Sequence, residues 1–203
     1  RGTQSLRAGS RQARAARALL LAGPGAKPRL PAGRDLGRLS LSIGEAQVNA
    51  LQAVVARLDG TVHQLVAEER GATLIAAWGL AGVTHEDDAR RGVEAAQAMH
   101  AELTRLGVPC AVGIATGRLF CGVRGSAERR EWAIVGDRMN LAARLARAAG
   151  VGVLCDDDTA QAAAARLRFE ALAPISLKGK ARPVPVFRPL AGAASAARAE
   201  AAA

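Results

Sequence analysis

The residues with the most chemical promise lie in two stretches, Val112-Gly-Ile-Ala-Thr-Gly-Arg-Leu-Phe-Cys-Gly122 and Ile134-Val-Gly-Asp-Arg-Met-Asn-Leu-Ala-Ala-Arg144. The glycines of the first let a hairpin lie close to a neighbour. Gly136 opens a helix in the second, and the free amides of a helix N-terminus attract anionic groups. Asn140 and Arg144 stand four residues apart on that helix, so they project from one face. An amide and a guanidinium placed this way suit a ribose and a phosphate, since arginine presents a fixed fork of donors that matches phosphoryl oxygens. The same pair also fits a plain solvated helix face.

Other candidates carry blander readings. Glu68-Glu69 is a carboxylate pair in a polar turn, Glu68-Glu69-Arg70-Gly71, and reads as solvated. Asp156-Asp157-Asp158 reads as the cap of a helix that continues through Thr159. His63, His85 and His100 share no ligand spacing. Arg129-Arg130 precedes Trp132 in a loop and reads either as a phosphate-steering pair or as solvated loop. Cys110, Cys121 and Cys155 form no CxxC pair, which disfavours a disulfide scaffold or structural zinc and fits a reducing compartment.

Elements that would position these groups follow from periodicity. A short alternating strand is expected at 39–43 and a helix at 46–58, stopped by Gly60. Strands at 61–67 and 72–78 flank the polar turn. Thr84, with Asp87 three residues on, is expected to cap a long helix whose apolar stripe (Ala89, Val93, Ala96, Met99, Leu103, Leu106) ends at Gly107. Strands at 110–115 and 118–123 are expected to form a hairpin hinged at Thr116-Gly117. A strand at 132–135 feeds the Gly136 helix, and strands at 151–154, 169–172, 175–177 and 184–187 follow, with a short helix after Asp156. Helices crossing over between strands, mixed with hairpins, predict an α/β (α+β) sandwich of the ferredoxin-like kind, a mixed sheet with helices packed on it.

The chain has 203 residues, which suits one domain with ragged ends. Aromatics make up 2% of the residues, so the core must be built from Ala, Val, Leu and Ile, and aromatic base-stacking platforms are disfavoured. The net charge of +10 is concentrated: residues 1–38 hold nine basic side chains and one acid, +8, leaving +2 for the other 165 residues. The body is close to neutral, so the expected partners do not include nucleic acid. Residues 1–36 are expected to be a basic Pro/Gly-rich arm, 37–190 the domain and 191–203 an Ala-rich tail. Apolar runs such as 18–22 and 74–78 fall far short of the ~20 residues of a membrane span, so a soluble, cytoplasmic protein is expected. The first residue is Arg1 and not methionine, so a fragment of a longer chain is expected.

Taken in order, these stretches resemble the catalytic domain of class III nucleotidyl cyclases. Gly136-x-x-x-Asn140-x-x-x-Arg144 matches the family's transition-state helix. The resemblance covers about residues 37–190 and takes in Trp78-Gly79-Leu80, His85-Glu86-Asp87-Asp88-Ala89 and Leu177-Lys-Gly-Lys-Ala-Arg-Pro-Val-Pro-Val-Phe187. It is most similar to the second cyclase half of soluble adenylyl cyclases, whose active site is built between two such domains.

The resemblance implies conversion of ATP to cyclic AMP and pyrophosphate, in intracellular cyclic-nucleotide signalling, as the nucleotide-positioning half of a paired assembly. Asn140 would orient the ribose region, Arg144 would stabilise charge at the α-phosphate, and Lys178 would reach the terminal phosphates. Arg70 lies where the soluble-type second half has an adenine-reading lysine, Ala133 where an Asp or Thr helps read the base, and the backbone at Ile134 would contact an adenine amine. The departures from the family pattern point to metal supplied from elsewhere. The two metal-binding aspartates should follow the first strand and sit in the first hairpin turn; these places fall near Glu45 and at Gly71-Ala72, so Mg²⁺ or Mn²⁺ is expected from the partner domain. The alternative is a degenerate regulatory module that binds nucleotide or a partner half without catalysis. Arg70 and Ala133 leave ATP and GTP both open.

Overall fold

Residues 74–78 alternate between two destinations, and that alternation organises the molecule. Leu74, Ala76 and Trp78 join one buried cluster with Leu51, Val55, Val93, Met99, Val112 and Ile114. Ile75 and Ala77 join a second, with Ala115, Leu119, Leu141, Ala142, Leu145 and Leu154. A strand with apolar residues on both faces must lie inside a sheet covered on both sides. The computed structural model describes residues 18–24, 45–68, 71–80, 82–126, 128–176 and 182–190, and it has this layered form.

In chain order the elements are β1 (Ala18–Pro24), α1 (Glu45–Arg57), β2 (Thr61–Glu68), β3 (Gly71–Trp78), α2 (Asp88–Arg105), β4 (Cys110–Ala115), β5 (Phe120–Gly125), β6 (Arg130–Val135), α3 (Asp137–Ala149), β7 (Gly152–Asp156), α4 (Asp157–Ala163), β8 (Phe169–Ile175) and β9 (Val184–Pro189). Seven strands form one mixed sheet in the order β2-β3-β1-β4-β7-β9-β8, and β5 and β6 form a separate two-stranded ribbon. Among the described residues only the β4–β7 pairing is parallel. Helices α1 and α2 cover one face and α3 the other, so the expected α+β sandwich of mixed sheet and packed helices is found.

Three expectations are corrected. The expected arm contains a central strand: β1 pairs with β3 (Leu20↔Ala76) and with β4 (Leu20↔Ile114). The domain therefore begins within the span 1–36, and the boundary at 37 does not hold. A strand between two others reads as a short unbroken apolar run, and Ala18–Ala22, set among Arg, Gly and Pro, was not distinguishable from a linker by periodicity. The strand expected at 39–43, like the tail at 191–203, lies outside the described residues.

Second, β4 and β5 do not form a hairpin. One edge of β4 is taken by β1 and the other by β7, so β5 has no edge left and pairs with β6 instead. Third, α2 starts at Asp88, and Thr84 bonds the carbonyl of Leu80 instead of capping the helix. Asp87 stands at the cap position, but its carboxylate is held by Arg90 and Arg91. The fully buried Asp88 accepts from the backbone N–H of His85 at 3.0 Å.

Candidate functional site

Helix α3 is held against β4 more closely than a side chain would allow. A Cβ at Gly113 would run into the carbonyl oxygen of Ala142 and the amide nitrogen of Ala146, so only glycine lets the helix backbone rest on the strand. Leu141, Ala142, Leu145 and Ala146 form the buried face. The same packing turns Asn140 outward, exposed, and leaves Arg144 half-buried at the rim. Among the described residues neither side chain is committed to a hydrogen bond or ion pair.

The entry to α3 is set by Gly136, at φ +159° with its Cβ direction blocked 2.8 Å away by Leu119 Cδ2. Gly136 joins α3 directly to β6, so Ala133 and Ile134 belong to the same continuous unit as Asn140 and Arg144. Ile134 is buried opposite Cys121, and Ala133 is half-buried opposite Gly122. Four of the six expected site residues thus lie on β6–Gly136–α3. Arg70 and Lys178 lie outside the described residues.

The first turn of α3 is tied down by a residue that sequence reading missed. Arg138 places Nη1 2.9 Å from Asp156 Oδ2 and Nη2 2.7 Å from Asp158 Oδ2. Asp156, its side chain 3% exposed, caps α4 as expected, accepting from the Thr159 amide at 3.0 Å and the Thr159 hydroxyl at 2.6 Å. It also accepts from the Thr116 amide at the end of β4, at 3.3 Å. Burial pushes the Asp156 carboxyl above its ordinary range, and the surrounding donors oppose that shift.

The expected metal positions move with the strand correction. The first strand is β1, which ends in Gly23-Pro24; the residues that follow it lie outside the described residues, and Glu45 opens α1. The first hairpin turn pairs Glu68 with Gly71, followed by Ala72. Gly23, Pro24, Gly71 and Ala72 offer no side-chain oxygen, so these four residues do not fit a divalent cation. Among the described residues there is no cluster of three or more His, Cys, Asp or Glu with metal-binding geometry.

The β5–β6 ribbon carries Phe120, Val123, Trp132 and Val135, four of the nine large exposed apolar side chains among the described residues. They sit as opposed pairs, Phe120↔Val135 and Val123↔Trp132, on the ribbon's two faces. Trp132 also meets His63 of β2 edge-on, ring centroids 5.6 Å apart. The three cysteines are free and buried, and burial pushes the Cys110 thiol up to about 12, which makes it unreactive. No described helix is long and apolar enough to cross a membrane.

No protein-family model matches the sequence. Adenylate cyclase type 10 of Rattus norvegicus is 25% identical over 132 residues, which is 64% of this chain and 8% of that protein. The Homo sapiens protein of the same name is 24% identical over 111 residues, 54% of this chain and 7% of its own length. This chain therefore spans less than a tenth of these curated relatives. Among solved structures, the adenylyl cyclase CyaB from P. aeruginosa superposes with a TM-score of 0.70 at 20% identity, covering 89% of this chain and 96% of that one. The guanylate cyclase domain of RhGC from Catenaria anguillulae, in complex with GTP, gives 0.67 at 18% identity, with 87% and 97% coverage. The guanylyl cyclase Cya2 gives 0.62 at 22%, with 85% and 90%. A two-faced mixed sheet, a detached β-ribbon and a helix seated on Gly113 together make the fold of this chain that of the class III adenylyl and guanylyl cyclase catalytic domains.

Proposed function

We propose that this chain is the nucleotide-positioning half of a paired cyclase assembly that converts ATP to cyclic AMP and pyrophosphate in intracellular signalling. The observation that carries this reading is α3: its close seat on Gly113 holds Asn140 and Arg144 outward, with no described partner for either. The curated relatives are adenylate cyclases, which favours ATP over GTP. The exposed apolar pairs of the β5–β6 ribbon favour a second cyclase-type half as the partner.

In this reading Asn140 binds and orients the ribose, and the backbone of Ile134 contacts the base beside Ala133 and Arg70. As the 3′-oxygen loses its proton and attacks the α-phosphorus, a new P–O bond forms and the bond to pyrophosphate breaks. Arg144 stabilises the negative charge developing on the α-phosphoryl oxygens, while Lys178 holds the terminal phosphates. A preorganised donor of this kind is worth about 10²–10³ in rate. Mg²⁺ or Mn²⁺ is supplied by carboxylates of the partner half, since Gly23 and Ala72 carry none.

A second reading is a degenerate regulatory module, favoured by those same metal-site residues and by Ala133. The test is to mix the chain with a metal-competent cyclase half and compare wild type with Arg144→Ala. A fall of about 10²-fold in turnover, with a smaller change in KM, supports catalysis. Equal turnover in the two supports the regulatory module.

A further inference from the structure

Gly136 occupies the cap position of α3 and supplies no side-chain hydrogen bond. The first turn also carries a long-range ionic contact. Arg138 reaches from the second residue of α3 to Asp156 at the end of β7 and to Asp158 in α4. Its Nε lies 2.5 Å from where a Cβ on Gly117 would stand, so the glycine makes room for the arginine stem. Behind this pair, Asp156 binds Thr116 and Thr159, whose hydroxyls lie 2.8 Å apart. One nearly buried carboxylate therefore joins the end of β4, the end of β7, the start of α4 and the start of α3. An exposed ion pair contributes little, but stripping the partner from a buried carboxylate leaves an uncompensated acceptor.

We propose that Arg138 and Asp156 are positioning residues that lock the first turn of α3, and so fix the direction in which Asn140 and Arg144 face the nucleotide. This rests on the function proposed above. Neither residue touches substrate. Asn140 lies two residues beyond Arg138 and Arg144 lies six beyond it, so a rotation of the first turn carries both. Misplacing reactive groups by about 1 Å costs up to about 10²-fold in rate.

The experiment uses the full chain in two measurements. Mixed with a metal-competent cyclase half, Arg138→Met and Asp156→Asn should each lower kcat about 10-fold with KM within about twofold. Arg138→Lys, which keeps a charge within reach of Asp156, should recover most of the loss. The double variant should be no worse than the poorer single one, because the two act as a unit. In the chain alone, amide hydrogen exchange at residues 138–141 should speed up about 10-fold in Arg138→Met, with α2 unchanged. Unchanged exchange in that turn overturns the proposal, as does an unchanged kcat in Arg138→Met under conditions where Arg144→Ala lowers it. Faster exchange combined with an inert Arg144→Ala sustains the lock on α3 and overturns the cyclase reading instead.

Discussion

The two ends of this molecule's central strands tell opposite stories. On one side, β4, β6 and α3 keep a tightly determined geometry: Gly113 admits the helix backbone, Gly136 turns the chain into it, and Arg138 ties its first turn. On the other, β1 and the β2–β3 hairpin keep their strands and their pairing but end in Gly23-Pro24 and Gly71-Ala72, which carry no polar side chain. A fold can hold its register whatever side chains stand at its strand ends, because strand pairing depends on backbone bonds and buried faces, and site chemistry depends on a few exposed ends.

The steepest break in that comparison should come from Gly113→Ala. The added methyl must push α3 off β4, since the atoms it meets are backbone, and a loss on the order of 3 kcal/mol is expected. In a chain of this size that is a fall of about 6–12 °C in Tm, read by thermal melting. Arg144→Ala should leave Tm within about 2 °C and yet lower turnover of the paired assembly about 10²-fold, read by steady-state kinetics. The contrast between these two variants separates the scaffold of α3 from its function.

Trp132→Ala addresses the ribbon. With 46% of the residue exposed, its loss should barely move the melting temperature. It should weaken association with a second cyclase half about 10-fold, measured by titration of one half with the other. Equal association in the variant would remove the ribbon from the interface.

The smallest effect concerns the start of α2, a helix on the sheet face opposite α3. Hydrogen bonds from Arg91 and then Arg90 hold the Asp87 carboxyl well below its ordinary value of 3.8. Its contribution to stability is complete above that value and is lost as pH falls toward the depressed one. Asp87 is partly exposed, so solvent screening keeps the contribution to about 0.5 kcal/mol. Between pH 5 and pH 3, the Tm of Asp87→Asn should therefore fall slightly less than that of wild type, by calorimetry.

The placement of Asn140 and Arg144 together on one helix was legible because their relation is local: four residues apart, after a glycine. The long stripe of α2 was legible for the same reason, and Ala89, Val93, Ala96, Met99 and Leu103 are all buried. β1 was not, because a strand buried between neighbours shows no alternation and its pairing to β3 and β4 joins residues far apart in the chain. The hairpin at Thr116-Gly117 was misread because local turn chemistry cannot reveal that both edges of β4 are already taken. The Arg138–Asp156 pair was not legible, since the partners stand 18 residues apart and no spacing rule connects them.

The central claim of the proposed function is that this chain supplies the positioning side of a two-sided active site and takes the metal side from a partner half. The most direct measurement is cyclic AMP formation from ATP with Mg²⁺ or Mn²⁺, by the purified chain alone and after mixing with a metal-competent cyclase half whose own Asn–Arg pair has been removed. The account predicts no turnover from either component and turnover from the mixture. Robust activity from the 203-residue chain alone, or a silent mixture in which the two halves demonstrably associate, would contradict it.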